Sequence, residues 1–391
     1  MSKEKFDFSK LKELGSMDIK DIIKILKKNK SSLNYEKPIK KKSKEKAKLV
    51  LSIDFGSHCI KLVEGKYQKN KLIINKTFQV PTPEGAVSDG KIINKDLVIE
   101  TLDFLIRENN IKAKNIIFTT NSSSIINRDI LIPKVRLEEM ETVIRYEIQQ
   151  YLPINLDEYI IQFIILDEVL EGKEEKLKVN VTSFPQKVAV EYYNVINSLD
   201  LNAYALDVEY NVINKLANYS GLIANKEDKE ETVAFIDMGA TYINVSILKN
   251  GKLDFTRMIK VGGDDIDYAL SQNLNISLKS AESIKVRDTD FLKLEDLDES
   301  DLIIKSSVNE ILDELDRILR FYNNKSEIKV SKIYIYGGMA SLKGLNTYMK
   351  DKFSIPVIKI EEVRNIEYGP YENIDDNIYQ YINAIGAIIR L

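Results

Sequence analysis

Two aspartates, Asp54 and Asp237, stand 183 residues apart in nearly the same surroundings. The first lies in Ile53-Asp54-Phe55-Gly56-Ser57-His58-Cys59-Ile60-Lys61, the second in Ile236-Asp237-Met238-Gly239-Ala240-Thr241-Tyr242-Ile243-Asn244. The Ile, Asp, Gly and second Ile fall at the same offsets, and each copy runs from an apolar stretch through Asp-x-Gly into another apolar stretch. That pattern reads as strand, tight turn, strand. The turn glycine permits a backbone conformation that other residues resist and projects nothing toward a ligand. Successive N–H groups in such a turn converge on an anion, and a carboxylate beside them suits a hard cation. Asp54 and Asp237 are therefore the candidate Mg²⁺ holders, acting through the ion's water shell. The N–H groups of Gly56, Ser57, Gly239, Ala240 and Thr241 are the candidates for phosphate oxygens. Lys61 reads either as a charge near the phosphates or as an outward strand lysine. Two such turns facing each other would clamp a metal–polyphosphate between two similar halves.

The elements needed to present these turns are visible around them. Strand-like runs occupy about 49–55, 59–65, 71–79 and 115–119, with a helix carrying Val98, Leu102, Leu105 and Ile106 before the last. The second copy restarts with Thr232–Asp237, Tyr242–Leu248 and Leu253–Lys260, then helices near 264–273, 279–286 and 300–323, and a strand Lys332–Tyr336 that runs into Gly337-Gly338. Three strands, helix, strand, repeated, is an α/β duplication of the ribonuclease-H-like kind. Between the halves the pattern changes: a helix over Arg136–Tyr151, strands Tyr159–Leu166 and Leu177–Phe184 and a helix Lys187–Leu199 read as a small α+β insertion. The expected organisation is an arm over 1–48, a first-half unit over 49–127, the insertion over 128–203, a return to the first unit over 204–230, the second half over 231–375 and a terminal helix over 376–391 that rejoins the first.

Composition limits the chemistry. One cysteine, Cys59, and one histidine, His58, in 391 residues exclude an intrachain disulfide and leave no structural zinc set. No apolar run approaches the roughly 18 residues that span a bilayer, so a cytoplasmic protein is expected. Net charge is −3, yet residues 1–48 hold sixteen Lys against seven acidic residues. The basic arm reads as a solvated tail, or as a contact for anionic lipid or an acidic partner. Nucleic acid is not expected, because Lys37–Lys48 interleaves no aromatic or arginine. Asp18 is a candidate cap for a short helix placing Ile19, Ile22, Ile23 and Leu26 on one face.

Three motifs in order carry a resemblance: Ile53-Asp54-Phe55-Gly56-Ser57 with Lys61, Ile236-Asp237-Met238-Gly239-Ala240-Thr241, and Ile335-Tyr336-Gly337-Gly338-Met339-Ala340. They are similar to the phosphate-1, phosphate-2 and adenosine motifs of the actin-like superfamily of ATPases and sugar kinases. Within it the chain resembles the PilM family of the type IV pilus inner-membrane platform, through the first motif, Tyr146–Ile154, Leu206-Asp207-Val208-Glu209, and Ser280-Ala281-Glu282-Ser283-Ile284-Lys285. The last is shared with the cell-division protein FtsA. The resemblance implies an actin-like fold with the insertion in the place called 1C. It implies ATP or ADP with Mg²⁺, Glu282 and Lys285 at the ribose, and Gly337, Gly338 and Met339 at adenine and the α-phosphate. Glu209 comes nearest to a water-orienting catalytic group, and slow or absent ATP turnover is expected.

The implied role is a peripheral membrane-platform scaffold that holds the cytoplasmic N-terminal peptide of a PilN-like membrane protein alongside other platform proteins. Leu131, Ile132, Pro133 and the helix from Arg136 are the expected local contributors. The alternative is an FtsA-like protein that self-associates into polymers at the membrane. A sugar-kinase role is disfavoured, since no acidic general base in a recognisable segment of the first half is found.

Overall fold

The computed structural model describes residues 17–18, 47–151, 155–172, 174–223, 230–293, 295–369 and 376–390. The strands and helices in chain order are β1 (Met17–Asp18), β2 (Val50–Phe55), β3 (Cys59–Gln68), β4 (Lys71–Pro81), β5 (Val87–Ser88), β6 (Lys91–Ile92), α1 (Lys95–Glu108) and β7 (Asn115–Thr120). The middle of the chain supplies β8 (Ile126–Pro133), α2 (Leu137–Tyr151), β9 (Tyr159–Glu171), β10 (Glu174–Pro185), α3 (Gln186–Ser198), β11 (Asn202–Val208) and α4 (Glu209–Ser220). The rest is β12 (Thr232–Met238), β13 (Ile243–Lys249), β14 (Lys252–Ile259), α5 (Gly263–Leu274), α6 (Leu278–Asp288), α7 (Glu299–Lys325), β15 (Lys332–Tyr336), α8 (Leu345–Phe353), β16 (Val357–Lys359), β17 (Ile366–Tyr368) and α9 (Ile382–Ile388).

The duplication seen in the motifs is a duplication of sheets. The first sheet has the order β1-β11-β7-β2-β3-β4-β17 and the second β14-β13-β12-β15-β16. In both, three strands meander antiparallel and the innermost then pairs in parallel with strands reached over helices: β2 with β7, and β12 with β15. Short turns can only join antiparallel neighbours, and a parallel neighbour needs a crossover. β2 and β12 are buried along their whole length, as central strands covered on both faces must be. The helices follow the same logic. Asn94 caps α1 by accepting from the Leu97 N–H, and Val98, Leu102 and Leu105 turn inward one helical turn apart. Asp298 and Asp301 form a reciprocal capping box that starts the 27-residue α7, whose Ile304, Val308, Ile311, Leu315 and Leu319 are buried.

The inserted segment makes its own sheet, β8-β10-β9, with α2 over it. Its core is a separate cluster containing Ile130, Ile132, Met140, Ile144, Ile148, Leu177 and Val179. β8 was not expected from the sequence: only Ile130 and Ile132 face inward on that strand, too few to mark a period. Helix α3 packs elsewhere, since Val188, Tyr192, Val195 and Ile196 belong to the main core. Tyr192 is buried there, edge-on to Phe55, with its hydroxyl donating to the Gly90 carbonyl.

The arm touches the first sheet. Met17–Asp18 pairs antiparallel with Leu206 and Ala205 of β11, so Asp18 lies in a strand. The remainder of the expected arm helix lies outside the described residues, as do Leu152–Ile154 and most of the Asn225–Glu231 loop. The terminal helix is shorter than expected: a 3₁₀ turn at Ile378–Gln380 precedes α9, and α9 packs against α4, β2, β3 and β7. Among the described residues no helix is long and apolar enough to cross a membrane.

Candidate functional site

The two Asp-x-Gly turns face each other across a cleft between the sheets. A cavity of about 160 Å³ there is lined by both hairpins together with residues of α4, β13 and α9. The turn glycines are needed for a reason other than the one expected. Neither Gly56 nor Gly239 has positive φ. Instead a Cβ on Gly56 would sit 2.7 Å from the Cys59 carbonyl oxygen, and one on Gly239 would sit 2.4 Å from that of Tyr242. The hairpins close so tightly that no side chain fits. The Gly56 N–H donates to the Cys59 carbonyl at 3.1 Å, which removes it from the free anion-facing set.

Strand register fixes what stands beside each aspartate. Asp54 lies opposite Lys61, whose Nζ is 3.9 Å from its carboxylate. Asp237 lies opposite Asn244. The Asn244 amide donates at 2.6 Å to Glu209, the first residue of α4, and the Asn121 amide donates to Asn244 at 2.8 Å. Asp237 itself accepts a hydrogen bond of 2.8 Å from the Asn383 amide of α9. Three carboxylates thus converge on one lysine.

Electrostatics follow from that count. Burial pushes Asp54 above its usual range, with Lys61 opposing. Burial and the nearby Asp54 charge push Asp237 up to about 6, again with Lys61 opposing. Glu209 is raised well above an ordinary carboxyl by burial and by the charges of Asp237 and Asp54. Such a cluster favours protons, or a cation, between its members. Among the described residues no group of three His, Cys, Asp or Glu side chains stands close enough to ligate a metal directly.

The hairpin tips touch. Thr241 Oγ1 donates to Asp264, at the start of α5, at 2.9 Å and lies 2.8 Å from Ser57 Oγ. His58 Nε2 lies 2.7 Å from Asp264 Oδ1, and His58 Nδ1 lies 3.4 Å from Glu282. The Asp264 contact raises His58 above its ordinary value while burial works against it. For Asp264, burial acts upward but His58 holds the carboxyl low. This chain of contacts bridges the two halves.

The other residues singled out by sequence divide. Ser57, Lys61, Gly239, Ala240, Thr241, Glu209 and Gly338 line the cavity with Asp54 and Asp237. Gly337 is required by packing: its φ is +91°, and a Cβ would sit 2.2 Å from Asp237 Oδ1. Its N–H is committed to the Tyr379 carbonyl. Met339 is buried. Glu282 is half exposed at the cleft mouth. Lys285 does not line the cavity; its ammonium is buried against Asp267 at 2.5 Å and the Gly263 carbonyl at 2.9 Å. Asp207, in the same motif as Glu209, is held by Lys215, Asn211 and the Val208 N–H. Asn121, Gly262, Gly263, Asp264 and Asn383 were not singled out. Gly262-Gly263-Asp264 carried a signal, a glycine pair opening a helix: the Gly263 and Asp264 N–H groups donate to the Gly239 and Ala240 carbonyls and so brace the second hairpin.

Comparison with known proteins agrees with this architecture. The profile of the type IV pilus assembly protein PilM matches residues 52–391. The chain belongs to the PilM family. A solved PilM–PilN type IV pilus biogenesis complex contains a chain of the same fold, with a TM-score of 0.75, 21% identity, and coverage of 87% of this chain and 97% of that one. The fold is therefore actin-like, as the motifs implied. FtsA of Bacillus subtilis is 22% identical over 259 residues, 61% of this chain and 57% of the relative's length. FtsA of Staphylococcus epidermidis is 22% identical over 342 residues, 78% of this chain and 72% of that protein. The chain thus spans little more than half of the Bacillus protein.

Proposed function

We propose that this family member is a nucleotide-binding scaffold of a pilus inner-membrane platform, taking ATP or ADP with Mg²⁺ in the cleft and a PilN-like N-terminal peptide on the inserted segment. One observation carries the nucleotide reading: two buried carboxylates from duplicated hairpins, with the half-buried Glu209 as a third, converge on a single lysine. Oxygen donors of this kind fit a hard cation that keeps its water. The donor set also leaves a complementary opening, since Asn383 Oδ1 is buried with no hydrogen-bond partner. When bound, magnesium would neutralise phosphate charge.

The chain's own residues would then do the following. Lys61 presents its ammonium toward the phosphates. Ala240 and Thr241 offer N–H groups beside the helix start that braces them. Ser57 and Thr241 exchange their mutual hydrogen bond for phosphate oxygens. Glu209, held by Asn121 and Asn244, would be the group that orients a water. We expect slow turnover, with a ligand that chiefly favours one arrangement of the halves.

For the peptide, an apolar cavity of about 220 Å³ lies where β9 and β10 meet β11, α4 and β14, lined by Phe163, Ile165, Phe184, Leu206 and Tyr210 among others. β9 is the outer strand of its sheet, and Lys252 donates to its Leu166 carbonyl. An extended peptide can add to such an edge and drop alternate side chains into the cavity. Leu131, Ile132 and Pro133 lie on β8, away from this cavity, and Ile132 is wholly buried. The FtsA relatives favour a second reading, self-association on a membrane with the basic arm as contact. Saturable binding of Mg·ADP by calorimetry, and of a fluorescent PilN-type N-terminal peptide by anisotropy, tests the first reading. Filaments on anionic vesicles with no peptide binding would favour the second.

A further inference from the structure

Asn383 stands out in its own helix. α9 reads Ile-Asn-Ala-Ile-Gly-Ala-Ile, every residue is buried, and Asn383 is 5% exposed. An amide among aliphatic side chains weakens a core unless its donors and acceptor are matched. Only part of this one is. Its Nδ2 donates to Asp237 Oδ2 at 2.8 Å, and its Oδ1 has no partner. Of the described residues that line the cleft, Asn383 is the one with such an orphaned buried atom.

The placement explains the expense. α9 packs on α4, β2 and β3, so Asn383 travels with the half that carries Asp54. The carboxylate it holds belongs to β12, in the other half. The neighbouring cleft groups Asp54, Asp237 and Glu209 accept hydrogen bonds when ionised and have none to give. Only a donor-bearing species complements a further acceptor there. Water in the shell of a hard cation directs its protons outward, toward acceptors of this kind.

We infer that Asn383 is a positioning residue that sets Asp237 against Asp54 so that the two share one hydrated divalent cation, its Oδ1 accepting from the cation's water. This rests on the nucleotide reading above. The experiment is a calorimetric titration of the full chain with ADP, in Mg²⁺ and in EDTA, for wild type, Asn383→Ala and the near-isosteric Asn383→Leu. Thermal melts of the ligand-free proteins show that each variant folds. The expected result is a loss of about tenfold or more in affinity with Mg²⁺ in both variants, as for other residues that orient metal-holding groups, and little change in EDTA. Equal losses with and without Mg²⁺ would make Asn383 a mere tie between halves, and unchanged affinity would leave it no part; either overturns the inference while the nucleotide reading stands. Absence of any Mg²⁺ effect in wild type overturns both.

Discussion

The two hairpins begin with the same residues and end with different neighbours. In the first, the strand partner of the aspartate is a lysine; in the second it is an asparagine. Asp54 therefore has a counter-charge built into its own hairpin. Asp237 has only neutral donors in its own hairpin and in hydrogen-bond reach, feels Lys61 only from the facing hairpin, and Asn244 turns its amide to Glu209 instead. Burial raises both carboxyls, and Asp237, which also feels the Asp54 charge, is pushed up to about 6. The comparison teaches that a duplicated backbone need not duplicate its electrostatics. One half supplies charge balance, and the other is left to receive it from a ligand.

Removing the built-in charge should have the largest effect. Lys61→Met leaves two buried carboxylates and the half-buried Glu209 without their lysine, and a loss of about 2–4 kcal/mol in ligand-free stability at pH 7.5 is expected in urea melts. A loss under about 0.5 kcal/mol would show that the lysine does not balance the cluster.

Asp237→Asn should act in the opposite direction. An acid whose folded value, about 6, exceeds its ordinary 3.8 binds its proton more tightly in the folded protein. Ligand-free stability should then rise as pH falls from above 6 toward 4. At pH 7.5 the ionised carboxylate costs roughly 1–3 kcal/mol, so the amide variant should be more stable there in chelator and should lose that part of the pH slope. A wild-type slope of the reverse sign in this window, with other carboxyls matched by the variant, would contradict the comparison.

Asn244→Lys sharpens the contrast by giving the second hairpin the counter-charge of the first. It should flatten the same pH slope and raise ligand-free stability by about 1 kcal/mol. The smallest effect belongs to His58→Ala. The His58 contacts with Asp264 and Glu282 are partly exposed, so under about 1 kcal/mol is expected. Because the His58 value is raised, that contribution is present below pH 6.5 and fades as pH climbs through the folded value. Melts of the variant at pH 6 and pH 9 should therefore differ from wild type more at pH 6.

Much of this was legible in the residues. The paired Asp-x-Gly turns, with their apolar flanks, located the two sheets and the cleft, because a buried strand and a tight turn leave strong local marks. β8 left none, having two inward residues, polar Arg128 and Asp129, and an edge position paired only with β10. Lys285 was placed at the ribose, yet it is committed to Asp267. Its type and spacing are the same in either role, and only the fold brings Asp267 within reach. Asn383 was invisible for a similar reason: one amide in an aliphatic helix has no meaning until Asp237, 146 residues away, is placed against it. The turn glycines were correctly singled out for the wrong cause, since close approach and not backbone angle demands them.

The most direct measurement is calorimetry of the wild-type chain with Mg·ADP beside Asp54→Asn and Asp237→Asn, each checked for folding. Saturable uptake by wild type that either single change abolishes is the predicted result. No heat from well-folded wild type, or equal affinity in all three proteins, would contradict the view that the duplicated aspartates jointly hold a magnesium nucleotide.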